Sequence, residues 1–472
     1  MPRAVLVAAV FGTALAYMSD DMLNLAIASV ARDLGATVSD VQWIVNGYYV
    51  ALVSVVLVAG SVGDIVGHRR VFRAGLLLFA AGALACAAAP TVPLLVAGRV
   101  LQGIGAALLL TAGLALVTRL TPPGERDRAI GLFLGLVAAV PALGPFVSGT
   151  LVDLLSWRWL FVVPLVLPIG AFLVTWLRVP ETPRADGRRP DLAGAAVGFV
   201  MLAAFSVAAI TGVGCASESS GALPAVALAI AVVAAIAFVA VERRVVDPML
   251  PLRFFRNRVF LGGNLIWLLG CLTSWGAVFF VAVTLQVTLG LRPFVAGLVL
   301  TPIYLVMMVG SPLAGRLAAR LGSRRPIVAG LAVYAVGLLL LSRIGASSAV
   351  GLDVLPAIVV FALGMAVFSA PLGAATMGAL GDEDQGVASG MNNAMGQLAG
   401  LLAMIVLPAV AGLGGASLDG PAFAVGYPIA LQFAAGLALV GVALAVVTFR
   451  PVGGQVHPMP TPAEPTFEPY RP

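Results

Sequence analysis

The stretch GSVGDIVGHRR (residues 60–70) has a gap-free counterpart in GRLAARLGSRR (residues 315–325). Gly60 meets Gly315, Gly67 meets Gly322, and Arg69 and Arg70 meet Arg324 and Arg325, whereas Asp64 meets Ala319. One copy follows the second long apolar run of the chain and the other follows the tenth. A pattern repeated at that distance predicts two like halves. Parallel repeats of this kind mark membrane transporters, in which the substrate path runs between the halves.

Composition places the chain in a membrane. Of 472 residues, 61% are hydrophobic and only 10% charged, and mean hydropathy is +1.06. A hydrocarbon layer needs roughly 20 apolar residues per helix. Runs of that kind fall at 4–31, 41–62, 72–89, 92–118, 129–152, 157–177, 192–213, 223–241, 259–286, 293–312, 326–343, 352–378, 387–413 and 426–448. The expectation is an all-α polytopic membrane protein with fourteen transmembrane helices. It divides into an N-terminal six-helix bundle (1–177), a linker carrying two extra helices (178–258), a C-terminal six-helix bundle (259–449) and a disordered tail (450–472). The first run has no small-residue cleavage site and contains two acids, so it is expected to stay as a spanning helix.

Arginine placement sets the expected direction, because positive charge gathers in short cytoplasmic loops. With the N-terminus inside, inner segments hold arginines at 3, 69, 70, 73, 119, 126, 128, 178, 184, 188, 189, 243, 244, 253, 256, 258, 316, 320, 324, 325, 450 and 471. Outer loops hold only Arg32, Arg158, Arg292 and Arg343. This predicts a multi-pass protein of the cell's inner (plasma) membrane with both termini cytoplasmic. It also assigns the net charge of +6 to topology, not to nucleic acid.

Cys86 and Cys271 lie in apolar runs, Cys215 lies in an outer loop, and no CxxC pair exists. His68 and His457 are the only histidines, and both fall outside the spans. No metal site, no cofactor and no enzymatic constellation is therefore expected.

Further motifs lie within the apolar runs. GRVLQGIGAA (98–107) carries Arg99, Gln102, Gly103 and Gly105, and VPALGPFVSGTL (140–151) carries Gly144, Pro145, Ser148 and Gly149. With GSVGDIVGHRR they resemble, in order, the inner-loop, intramembrane-arginine and antiporter motifs of the major facilitator superfamily. VQWIVNGYYVALVSVVLVAG (41–60), DPMLPLRFFRNR (247–258) and GVASGMNNAMGQLAG (386–400) are similar to its fourteen-span drug:proton antiporter branch. Ile65 stands in place of the usual Arg after the Asp, and Val140 and Ser148 replace two antiporter-motif glycines.

The resemblance implies the major facilitator fold, a cytoplasmic gating role for Gly60, Asp64, Gly67, Arg69 and Arg70, and proton-coupled export. It also implies that the Gly144–Pro145 bend seals one face against proton leak. By chemistry alone, Asp64 can accept hydrogen bonds from a helix N-terminus or pair with a nearby Arg. The glycines of the fifth run let a neighbouring helix pack closely at the Pro145 bend.

Arg99 is not explained by composition. A buried Arg costs about 2.5–3.5 kcal/mol on insertion scales unless it pairs or faces water. Away from the ends of the apolar runs, the carboxylates are Asp20 and Asp21 in YMSDDMLN (17–24). At about 1.5 Å per residue they lie in the outward half of the first helix, near the depth of Arg99. Adjacent helical residues diverge by about 100°. One acid is thus expected to face Arg99 while the other looks into the cavity or toward Asn24. Such a carboxylate, pulled up by burial and down by Arg99, is suited to loading and releasing a proton; fixed pairing with Arg99 would serve structure alone. The relatives' first-helix pattern, aligned on Asn24, puts their Asp at Ser19, so Asp20 and Asp21 sit one and two places late.

Polar candidates for a substrate cavity are few: Asn24, Trp43, Asn46, Tyr48, Asn264, Trp267, Asn392, Asn393 and Gln397, besides Thr273. A sparse polar set among apolar walls suits a lipophilic solute. The expected function is proton-coupled efflux of lipophilic drugs or antibiotics by alternating access. The expected partners are membrane lipids, protons and the small substrate, with the chain acting as a monomer. An exporter of lipids or envelope components would share these motifs, and a non-transporting sensor would not need Asp20, Asp21 and Arg99 together.

Overall fold

The computed structural model describes residues 3–122, 125–181, 192–214, 222–244, 252–380, 385–413 and 420–449. Among them there is no strand. The helices are α1 (Arg3–Leu34), α2 (Val38–Val66), α3 (His68–Ala87), α4 (Val92–Leu120), α5 (Arg126–Ala139), α6 (Gly144–Leu154), α7 (Trp159–Val162) and α8 (Val166–Arg178). They continue with α9 (Leu192–Gly214), α10 (Leu223–Glu242), α11 (Arg258–Val287), α12 (Pro293–Leu321), α13 (Arg324–Leu341), α14 (Leu355–Met377), α15 (Gln385–Val410) and α16 (Pro421–Thr448). Helix occurs at each position where a spanning run is expected. Among the described residues, ten helical stretches, one of them α7 and α8 taken together, are long and apolar enough to cross a membrane. An eleventh is added by α1, whose two arms diverge by 42°.

Local chemistry sets the helix starts. Thr37 and Asp40 form a reciprocal capping box at α2: Thr37 Oγ1 accepts from the Asp40 amide at 3.2 Å, and Asp40 Oδ2 accepts from the Thr37 amide at 2.9 Å. Asn257 caps α11 by accepting from the amides of Val259 and Phe260. A 3-10 turn over Val140–Leu143, bearing Pro141, separates α5 from α6.

The repeat is written in the backbone. Gly67 ends α2 with φ +100°, and Gly322 ends α12 with φ +76°, a region open to glycine at little cost. Gly35 and Gly290, after α1 and α11, adopt φ +62° and +64°. Both pairs stand 255 residues apart (322 − 67 and 290 − 35). The motif comparison found the first pair; the second shares only a preceding leucine and shows in the dihedral angles.

In the first half α4 is central, packed against α1, α2 and α3, while α1 also meets α6 and α8. In the second half α11 packs on α15 and α16, and α14 on α12 and α13. The broadest contacts between the halves are α6 with α12, α2 with α15, and α1 with α11. The α9–α10 pair attaches through α9, which lies against both α2 and α15. Much of α10 is exposed apolar surface, as expected of a helix facing lipid.

Candidate functional site

Arg99 is held at the centre of the first half because α4 is thin there. A Cβ on Gly103 would run into the Tyr48 carbonyl of α2, and one on Gly105 would lie 2.5 Å from the Phe79 amide of α3. Helices this close leave Arg99 with no exposed surface. Its Nε donates to the Ile44 carbonyl at 3.3 Å, and its Nη1 to Gln102 Oε1 at 3.1 Å and to the Ser19 hydroxyl at 3.4 Å. Its guanidinium carbon sits 4.3 Å from the centre of the Tyr48 ring, a cation–π contact. Tyr48 is fixed in turn by donating to the Ala16 carbonyl at 2.7 Å.

The side chains of Asp20 and Asp21 lie outside the described residues. Among the described side chains of α1, their neighbour Ser19 is brought within hydrogen-bonding reach of Arg99. Asn24 is buried at 7% exposure, one turn farther along α1.

Around the repeated loop, Asp64 pairs with Arg119 at the end of α4 and accepts from His68 Nε2 at 3.2 Å. Of the two possibilities open for Asp64, the observed partner is an arginine, joined by a histidine. These contacts, His68 first and Arg119 after it, hold the Asp64 carboxyl below its ordinary range. Arg69 turns to the end of α8, donating to the Thr175 and Trp176 carbonyls at 3.2 and 2.7 Å. Arg70 approaches Glu181 at 3.6 Å, and Arg73 stacks 3.7 Å over Trp176. Gly60 has open space around it and needs no close approach. The loop therefore ties α2, α4 and α8 into one block.

The Gly144–Gly149 segment lies at the opposite end and faces the other half. A Cβ on Gly149 would stand 2.6 Å from Phe294 Cα of α12, and one on Gly297 would strike the Pro145 carbonyl. Ser148, which replaces a motif glycine, donates to the Met22 carbonyl of α1 at 2.6 Å. Asp153 accepts from the Phe294 amide at 3.3 Å and pairs with Arg292 at 3.3 Å. A carboxylate from one half thus caps the first turn of a helix in the other.

The remaining bonds between halves favour the same end. Gln42 Nε2 donates to the Met404 carbonyl at 2.8 Å, and Gln286 Nε2 to the Leu25 carbonyl at 3.0 Å. Tyr17 donates to Asn393 Oδ1 at 3.4 Å nearer mid-depth. Gly315 lies five helical turns beyond Gly297 on the same face of α12, yet a Cβ there would meet nothing within 4 Å. Among the described residues the halves touch through α6 and α12 at the Asp153 end, whereas Gly315 of α12, toward the Asp64 end, faces open space.

Above the opening, Tyr17, Tyr48, Tyr49, Trp275 and Gln397 enclose only about 10 Å³, room for about one water molecule. Trp275 meets Tyr49 edge-on at 5.4 Å. Asn264 donates to the Phe260 carbonyl at 2.9 Å and accepts from Asn392 at 3.5 Å. Trp267 and Trp43 are partly buried beside the core. Asn46 is fully buried, and neither of its amide atoms has a hydrogen-bond partner among the described residues. Thr273 turns to Tyr334 within the second half. Tyr17, Tyr49, Trp275, Asp153 and Gln286 escaped the sequence reading. Each reads as ordinary packing or loop chemistry until α1, α6, α11 and α15 are brought together.

The family model described as Major Facilitator Superfamily matches residues 9–404 and, again, 265–471. The tetracenomycin C resistance and export protein of Streptomyces glaucescens is 32% identical over 409 residues, covering 86% of this chain and 75% of that protein. The puromycin resistance protein of Streptomyces alboniger is 33% identical over 451 residues, covering 92% of this chain and 88% of the relative. Among solved structures, a peptide transporter POT in complex with sulfate superposes with a TM-score of 0.69 at 16% identity, covering 95% of this chain and 94% of the other. That likeness shows the fold.

Proposed function

Because the chain belongs to the Major Facilitator Superfamily, a family of multi-pass membrane transporters and not enzymes, we propose that it exports lipophilic drugs or antibiotics in exchange for protons. The observation that carries this reading is the arrangement of Arg99: a fully buried guanidinium anchored to α2 and α4 and hydrogen-bonded to α1 beside Asp20 and Asp21. A permanent cation there lowers the cost of ionising a carboxylate on the same helix turn, and a change in hydration raises it again. Proton loading and release can thereby follow the opening of each side.

The path runs between the halves. The open end beside Asp64 is the cytoplasmic side, and the closed end beside Asp153 faces outward, so the conformation supports an inward-open state of an alternating-access cycle. Fourteen spans, cytoplasmic termini and a plasma-membrane location complete this reading. The resistance and export activities named for the relatives support drugs as the cargo. A proton entering supplies about 2.3 kcal/mol per 100 mV of membrane potential.

Everted membrane vesicles made acidic inside test this directly. They are expected to accumulate a substrate found by a resistance panel in a pump-deficient host, and to lose it on addition of an uncoupler. Accumulation indifferent to the proton gradient would overturn the mechanism.

A further inference from the structure

We propose that a groove between α9 and α10 holds an acyl chain of one anionic phospholipid, whose phosphate is received by Arg243 and Arg244. This lipid is a fixed ligand on the outer face of the fold, apart from the path between the halves, so the inference does not rest on the exporter reading.

Shape is the first argument. The groove has a volume of about 550 Å³ and is walled by Ala196 and Val200 of α9 and by Val226, Ile230, Val233 and Ala237 of α10. Every lining side chain is Ala, Val or Ile, so a polar solute finds nothing there to orient it. From Val226 to Ala237 the groove follows α10 for about 16 Å, which leaves a section of about 35 Å², less than half that of a helix about 10 Å across. A hydrocarbon chain fits that section and a transmembrane helix of a second copy does not. The α10 wall faces outward, with Val226 51% and Val233 67% exposed, and α10 is a span by length and composition. The medium on that side is lipid.

Charge is the second argument. Between lipid tails and apolar side chains burial alone selects little, because both are hydrocarbon. Selection therefore falls to the end of the groove. Val226, Ile230, Val233 and Ala237 recur at helical spacing on one face of α10, and Arg244 continues that face seven residues after Ala237. The chain keeps right-handed geometry as far as this point: Arg243 has φ −76° and ψ −19°, and the Arg244 amide donates to the Val241 carbonyl at 2.8 Å. Both arginines are exposed immediately beyond the last residue of the span, at the depth of lipid headgroups, and no carboxylate among the described residues pairs with either. Glu242, the acid beside them, is buried and lies about 140° round the helix from Ala237, turned away from the groove. A basic pair at the end of an apolar inter-helix groove suits a lipid phosphate with no compensating amine, and each such side chain favours an anionic headgroup roughly fivefold.

Native mass spectrometry of the purified full-length protein, supplied with equal amounts of dioleoyl phosphatidylglycerol and dioleoyl phosphatidylcholine, tests the inference. The two lipids share their tails and differ in net charge. One phosphatidylglycerol is expected to be retained at least tenfold over phosphatidylcholine, and an excess of inorganic phosphate is expected to leave it in place. Arg243→Gln with Arg244→Gln is expected to reduce the preference below threefold. Ala196→Leu with Ala237→Leu, which fills the groove and keeps both charges, is expected to lose the retained lipid at an unchanged melting temperature. Arg343→Gln, an exposed arginine at the end of α13, is expected to change nothing. Equal retention of the two lipids by wild type, or a preference indifferent to the loss of Arg243 and Arg244, would overturn the site. Retention that survives the filled groove, or yields to inorganic phosphate, would reduce it to a bare basic patch and overturn the acyl groove. A lipid-free dimer that the filled groove breaks apart would assign the face to a second copy of the chain instead.

Discussion

The Ser19 hydroxyl stands 3.4 Å from the Arg99 guanidinium, one residue before the Asp20–Asp21 pair of the first helix. Arg99 uses Nε for the Ile44 carbonyl and Nη1 for Gln102 and Ser19, so its fork shape matters as well as its charge. Arg99→Lys keeps the charge but cannot reach both the α2 carbonyl and Gln102. It is expected to cut gradient-driven export at least tenfold, nearly as far as Arg99→Ala. Ser19→Ala removes one long charge-assisted hydrogen bond and leaves those to Ile44 and Gln102 in place, so it is expected to cost less than Arg99→Lys, about tenfold or less. Initial rates in everted vesicles, normalised to protein level, check both; normal export by Arg99→Lys would show that charge alone suffices.

Gly149 lies against the backbone of Phe294, leaving no room for a side chain. Gly149→Ala must push α6 and α12 apart at the closed end, while Gly315→Ala, on a bare face of α12, should be silent. With a Leu25→Cys reporter buried in that seam, Gly149→Ala is expected to speed outside labelling by a membrane-impermeant maleimide at least tenfold. Equal labelling in the two backgrounds would mean that the seam is sealed elsewhere.

Asn46 lies between Gln42 and Tyr49 on the face of α2 turned toward α15. An amide buried with neither atom paired costs about 1–3 kcal/mol in this conformation. Opening the seam to water returns that cost, so Asn46 favours departure from the closed state. Asn46→Leu is expected to raise the melting temperature while slowing export. A lower melting temperature together with unchanged export would show that the amide is satisfied in the closed form.

The helices were legible because twenty-residue apolar runs have few alternative readings, and the repeat because Gly67 and Gly322 share their neighbours. Gly35 and Gly290 do the same work at the first loop of each half with only a preceding leucine in common, Leu34 and Leu289, too little to pair them by sequence. Within the site, Arg99 was legible because a charge in an apolar run demands a partner. Asn46 and Tyr48 looked like cavity residues because polarity in a span suggests a lining role. Packing adds a second role for Tyr48, which borders the small cavity and also lies against the Arg99 guanidinium. Asp153 read as an ordinary loop acid, and only the approach of α12 gives it the Phe294 amide and Arg292.

Asp64 carries the pH dependence of the loop block. Its carboxyl is held below the ordinary range, first by His68 and then by Arg119, so its contribution to stability is complete above the unfolded carboxylate value of about 3.9. That contribution is lost as pH falls through the lower folded value. Asp64→Asn removes it at every pH. The melting temperature of Asp64→Asn is therefore expected to lie below wild type at pH 7, with the gap narrowing only below about pH 4. Removing the leading partner with His68→Ala moves the folded value back toward the unfolded one, which shrinks the gap at neutral pH. Thermal scans of wild type, Asp64→Asn, His68→Ala and the double variant between pH 3 and 7 complete the cycle. A gap that closes well above pH 4 would contradict a depressed carboxyl, and additive single effects would show that His68 and Asp64 act independently.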